Sequence, residues 1–83
     1  MSLESLRGAK KIAIGTKQTT KMAKNNKARV VFVAKDAESR ITRPVIDLCK
    51  EKKIELVEVP QMADLGKACR IKVGAAMAAI VEE

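Results

Sequence analysis

Residues 29–59, RVVFVAKDAESRITRPVIDLCKEKKIELVEV, hold the pattern that decides the fold. Arg29-Val30-Val31-Phe32-Val33-Ala34 is rich in β-branched residues and shows no polar alternation, as a strand covered on both faces should. Ile54 to Val59 reads as a second strand, stopped by Pro60. Between them, Thr42 to Lys53 has helical periodicity, with Ile41, Val45, Ile46, Leu48 and Cys49 expected on one side. Pro44 fits the first turn of that helix, where a missing N–H costs nothing. Strand, helix, strand specifies a parallel pair joined by a right-handed crossover.

The same reading extends outward in both directions. Upstream, Ser2 to Lys10 is a short helix with Ser2 as its N-cap, and Ile12-Ala13-Ile14 is a strand ended by Gly15. Thr16 to Asn25 is helical, and Asn25-Asn26 stops it. Downstream, Met62 to Cys69 is a short helix, Arg70 to Gly74 a loop, and Ala75 to Val81 a last apolar strand. The order is α-β-α-β-α-β-α-β, with every strand near-continuously apolar. That pattern predicts an α/β fold, a mixed sheet with helices on both faces. No repeat, linker or low-complexity segment interrupts it, so residues 1–83 are expected to form a single domain.

Composition narrows the function. The chain has 83 residues, 47% hydrophobic, with Phe32 as its one aromatic residue and no His. A domain this small buries only about 60% of its unfolded surface, which favours an economical core. Without His there is no imidazole base, no Ser-His or Cys-His nucleophile, and no His-bearing zinc site. One Phe cannot stack successive bases, which argues against aromatic single-strand platforms. Cys49 and Cys69 form no CxxC pair and read as small core residues kept reduced in the cytoplasm. Met1 to Gly8 contains Glu4 and Arg7 and has no apolar core of a secretory signal. The longest apolar stretch, Val73 to Val81, covers nine residues, well short of the ~20 that span a bilayer. No membrane association, cofactor, metal or catalytic residue is expected.

Charge is distributed unevenly. The net charge is +7, but residues 1–35 carry +8 and residues 36–83 carry −1, with a small second cluster at Lys67, Arg70 and Lys72. A one-sided basic footprint calls for a polyanion, with nucleic acid first. Its informative part is Gly15-Thr16-Lys17-Gln18-Thr19-Thr20-Lys21, where a strand turns into a helix. Helix N-termini offer unpaired amides and the positive end of the macrodipole. Lys17, Lys21 and Lys24 recur at i, i+4 and i+7 and form one basic stripe. The segment lacks the GxxxxGK[ST] spacing of a P-loop, and the chain has no GxGxxG. A stripe longer than one phosphate suits a nucleic-acid backbone better than a mononucleotide.

Three ordered motifs resemble the L7Ae/L30e ribosomal protein family, in particular its small bacterial branch. They are Gly15 to Lys21, then Val33-Ala34-Lys35-Asp36-Ala37, then Leu65-Gly66-Lys67-Ala68-Cys69 with Ile71-Lys72-Val73-Gly74-Ala75-Ala76. The resemblance runs over roughly Ala9 to Val81. It implies a three-layer α/β/α sandwich with sheet order 1-4-2-3 and strand four antiparallel. It also implies binding to kink-turn RNA, a duplex bent sharply at a short bulge beside tandem sheared G·A pairs. By resemblance, Gly15 and Thr16 bring the backbone close to RNA, Lys17 and Gln18 approach the G·A edges, and Lys21 contacts phosphate, with Lys24 continuing the stripe. Ile71 and Val73, flanked by Arg70 and Lys72, match the apolar loop that holds a flipped-out bulge nucleotide. Ordinary core contacts are the plainer reading of both, more so for Val73. Archaeal and eukaryotic members carry Asn-Glu at the Lys17-Gln18 positions, while the bacterial branch shares Lys-Gln. The implied partner is a ribosomal RNA, a riboswitch or another structured RNA, with the ribosome as a further one, bound by a monomer. The competing reading is a basic assembly module that meets an acidic protein. An enzyme is disfavoured, since the nearest paired carboxylates, Asp36 and Glu38, fit a loop and a helix start.

Overall fold

The structure, a computed structural model, describes residues 3–82. Its centre is β2 (Val30–Ala34), buried at every position. Val30, Phe32 and Ala34 pack on one side with Leu6 of α1 (Leu3–Gly8) and Leu65 and Ala68 of α4 (Met62–Ala68). Val31 and Val33 pack on the other with Ala23 of α2 (Thr16–Lys24) and Val45 and Cys49 of α3 (Ser39–Lys52). Two covered faces explain why the sequence shows no alternation here.

With β1 (Lys11–Ile14), β3 (Glu55–Val59) and β4 (Met77–Glu82), β2 forms a four-stranded sheet in the order β1-β4-β2-β3. β2 and β3 are parallel, and β4 runs antiparallel to both of its neighbours. This is the expected three-layer α/β/α sandwich. Its centre is economical: Ala78 of β4 stands opposite Phe32 of β2, so a small residue makes room for the one aromatic ring.

Several local expectations are corrected. α3 begins at Ser39, not Thr42, because the Glu38 carbonyl accepts from the N–H groups of Ile41 and Thr42 at 3.0 and 3.2 Å. Pro44 therefore lies inside the helix, beyond its first turn. The carbonyl it cannot serve belongs to Arg40, an exposed residue open to water. Ile41 is 37% exposed, while Thr42, at 6%, faces inward. β3 is an edge strand with Glu55 and Glu58 exposed, not a doubly covered one. β4 starts at Met77 and not Ala75, whose N–H donates to the Met62 carbonyl of α4 and not into the sheet. α1 ends at Gly8, and the Ser2 cap lies outside the described residues.

Cys49 and Cys69 are both buried and free, and they belong to the two clusters on opposite faces of the sheet. Burial pushes both thiols above the usual range. Among the described residues no helix is long and apolar enough to cross a membrane.

Two glycines make a test of the packing. A Cβ on Gly66, in α4, would land on the Val73 backbone carbonyl, whereas one on Gly8 would meet nothing within 4 Å. Gly66→Ala should cost about 1–3 kcal/mol. Gly8→Ala should be neutral or stabilise by up to ~1 kcal/mol. Urea unfolding of the two variants checks the contrast. Equal shifts would mean that α4 does not press on the 70–74 loop.

Candidate nucleic-acid interface

β1 hands over to α2 through one residue. Gly15 has φ +92 and ψ 167, a region that essentially only glycine occupies. Its N–H donates to the Met77 carbonyl at 3.0 Å, and its own carbonyl accepts the Thr19 N–H at 3.0 Å. The N–H groups of Thr16, Lys17 and Gln18 then lack intrahelical partners, and the first turn carries no acidic residue. All three residues are exposed.

The lysine stripe is real in three dimensions. Lys17, Lys21 and Lys24 are exposed and line a shallow hollow of about 470 Å³ together with Thr16, Thr20 and Asn25. The helical rise spaces successive lysines by about 6 and 4.5 Å along the axis. Gln18 does not line this hollow, since it lies about 100° round the helix from Lys17. The first turn thus offers a cation on one side and an amide on another. Thr19 faces the interior, and its Oγ1 has no hydrogen-bond partner among the described residues.

The second predicted element, Arg70 to Gly74, is clasped onto α4. Arg70 takes a left-handed φ of 63, and the Ile71 N–H donates to the Gly66 carbonyl at 3.1 Å. Ile71 is half-buried against the Leu6–Leu65 cluster. Lys72 is exposed, and Val73 is 70% exposed, the more open of the two exposed large hydrophobics. The plainer reading, core contact, therefore fits Ile71 and fails for Val73. At Val73 it is the loop backbone that packs on the helix, where Gly66 leaves room for the carbonyl.

The turn and the loop are joined by one short piece of chain. The Ala75 N–H donates to the Met62 carbonyl at 3.1 Å, the Ala76 carbonyl accepts from Ala34 at 2.9 Å, and the Met77 carbonyl holds Gly15. Two contributors, Asp36 and Gly66, lie in the quoted motifs but carry no role of their own in the sequence reading. Asp36 Oδ1 accepts the Met62 N–H at 2.8 Å, across 26 residues of chain, so no local signal marks it. Gly66 did leave a signal, because a glycine inside a helix costs about 1 kcal/mol and usually marks a close approach.

Comparison with known proteins bears on the family and the fold. The family model described as "Ribosomal protein L7Ae/L30e/S12e/Gadd45 family" matches residues 2–83. The chain belongs to this family. A protein of Bacillus pumilus called "RNA-binding protein" is 44% identical over 81 residues, covering 98% of this chain and 99% of that one. "RNA-binding protein YbxF" of Geobacillus stearothermophilus matches with the same identity and coverage. Among solved structures, the "Giardia lamblia 15.5kD RNA binding protein" superimposes with a TM-score of 0.86 at 24% identity, over 98% of this chain and 68% of that one. At that identity the last likeness shows the fold alone.

Within this member of the L7Ae family, the Gly15 conformation can be tested without any ligand. A Cβ at Gly15 would touch no heavy atom within 4 Å, so a substitution there probes backbone strain and not crowding. Gly15→Ala should destabilise the fold by about 1–3 kcal/mol, read by thermal or urea unfolding. A neutral Gly15→Ala would show that the turn tolerates an ordinary backbone.

Proposed function

We propose that this protein binds kink-turn RNA, without catalysis, through the Gly15 turn and the Arg70–Val73 loop. The observation that carries the reading is α2, whose first turn leaves three N–H groups without intrahelical partners and whose exposed face carries Lys17, Lys21 and Lys24 along its length. The names and full-length match of the bacterial relatives support the RNA part of it.

The chemistry follows from the geometry. The major groove of an undistorted A-form helix is too narrow for side chains, so a helix tip needs RNA that is already bent and opened. A kink crowds phosphates from two stems, and a cationic face relieves their repulsion. Gly15 and Thr16 let the backbone approach closely. Lys17 donates to guanine O6 or N7, and the Gln18 amide both donates and accepts at the G·A edges. Lys21 and Lys24 follow the phosphates. Val73 covers the bulge nucleotide, Ile71 supports it from the core side, and Arg70 and Lys72 meet the neighbouring backbone. The protein acts as a monomer, one copy per kink, on a ribosomal RNA, a riboswitch or another structured RNA.

Mobility shifts with a kink-turn and with the same stems joined as a continuous duplex test this directly. The kink-turn should bind more tightly, and equal affinity would refute shape-selective recognition. With about three or four phosphates contacted, the log–log salt slope should be roughly −3 to −4. Lys21→Ala should weaken both RNAs by a similar factor, because phosphate contacts carry no sequence information. Gln18→Ala should cost about 1–3 kcal/mol on the kink-turn and little on the duplex. Matching losses on both would remove Gln18 from base reading.

A further inference from the structure

We propose that Asp36 is a positioning residue for RNA recognition, which holds the Val73 loop in its binding shape without touching the RNA. This rests on the role given to Val73 above. α4 has no side-chain cap of its own, since its N-cap residue, Gln61, makes no side-chain cap bond. The carboxylate of Asp36, from the loop after β2, takes that place by accepting the Met62 N–H at 2.8 Å. An anion at the first amide of a helix satisfies one orphan donor and complements the macrodipole.

Met62 is also where the loop closes. Its carbonyl accepts the Ala75 N–H at 3.1 Å, and a Cβ on Gly74 would meet the Met62 side chain at 3.0 Å. The same residue is therefore fixed from one side by Asp36 and from the other by the end of the loop. Four residues away, Gly66 accepts the Ile71 N–H and underlies the Val73 carbonyl. Val73 is held between these two clamps, and its 70% exposure means that no core packing fixes it from above. Release of the Met62 end lets α4 fray at its first turn, which loosens one of the two clamps.

This separates Asp36 from a merely structural residue. A structural loss lowers affinity for every RNA alike. A positioning loss falls on the nucleotide that Val73 covers. The test uses two RNAs, an intact kink-turn and the same RNA with its last bulge nucleotide replaced by an abasic linker. Asp36→Ala should bind the intact RNA about fivefold more weakly and the abasic RNA nearly as well as the parent does. Asp36→Asn, whose amide oxygen still accepts, should restore most of the affinity. The double variant with Val73→Ala should lose little more than Val73→Ala alone.

Equal losses on both RNAs, or no loss on either while Val73→Ala still discriminates between them, would overturn the proposal for Asp36. A Val73→Ala that discriminates nothing would remove the loop from binding and the proposal with it, whatever Asp36→Ala does. Circular dichroism checks that each variant is folded. If Asp36→Ala unfolds, Asp36→Glu, which displaces the carboxylate by one methylene, carries the same comparison.

Discussion

Ala75, Ala76 and Met77 each place one backbone hydrogen bond on a different part of the molecule: Met62 at the start of α4, Ala34 at the end of β2, and Gly15 at the turn into α2. The candidate interface depends on these bonds. The turn comes from the first part of the chain and the Arg70–Val73 loop from the last. Only the insertion of β4 between β1 and β2, antiparallel to β1, brings them to the same end of the sheet. A last strand in the middle of a sheet is expensive in loop closure, since its partners are far away in sequence. Small residues make that position workable: Ala78 leaves room for Phe32 on one face of the sheet, and Ala79 stands beside Val31 and Ala13 on the other.

Around this strut, the parts of the interface differ in rigidity. Gly15 is locked by hydrogen bonds on both sides, so the amides of Thr16, Lys17 and Gln18 are fixed before any ligand arrives. Preorganised donors pay less entropy on binding than mobile ones. The lysines are the opposite: exposed, flexible and tolerant of where each phosphate sits. Rigid amides suit shape selection, and mobile cations suit a variable backbone. In the proposed function these become the kink and the stems, respectively.

Much of this was legible in the sequence. Val30 to Ala34 announced a doubly covered strand because both of its faces are buried. The Gly15–Lys21 segment announced its turn because backbone conformation and charge are local properties. What failed was set by backbone packing and pairing that residue types do not display. Val73 is exposed and Ile71 half-buried where the loop backbone packs against Gly66, and the residue types on the loop say nothing about which of the two faces out. The start of α3 was misread because the Glu38 carbonyl caps it, while Pro44 looked like a start signal. β3 reads as near-continuously apolar, yet as an edge strand it leaves Glu55 and Glu58 exposed. The Asp36–Met62 bond joins the loop after β2 to the start of α4, which no pattern connects.

The claim at the centre is that the turn and the loop form one RNA-facing edge, held together through residues 75–77. Amide chemical-shift mapping of isotope-labelled protein titrated with kink-turn RNA tests it most directly. The expected result is a footprint on residues 15–24 and 70–77, which saturates at one equivalent of RNA and leaves the outer face of α3 and the free edge of β3 unmoved. Shifts concentrated on α3 or β3, with Gly15 and Val73 unaffected, would contradict it.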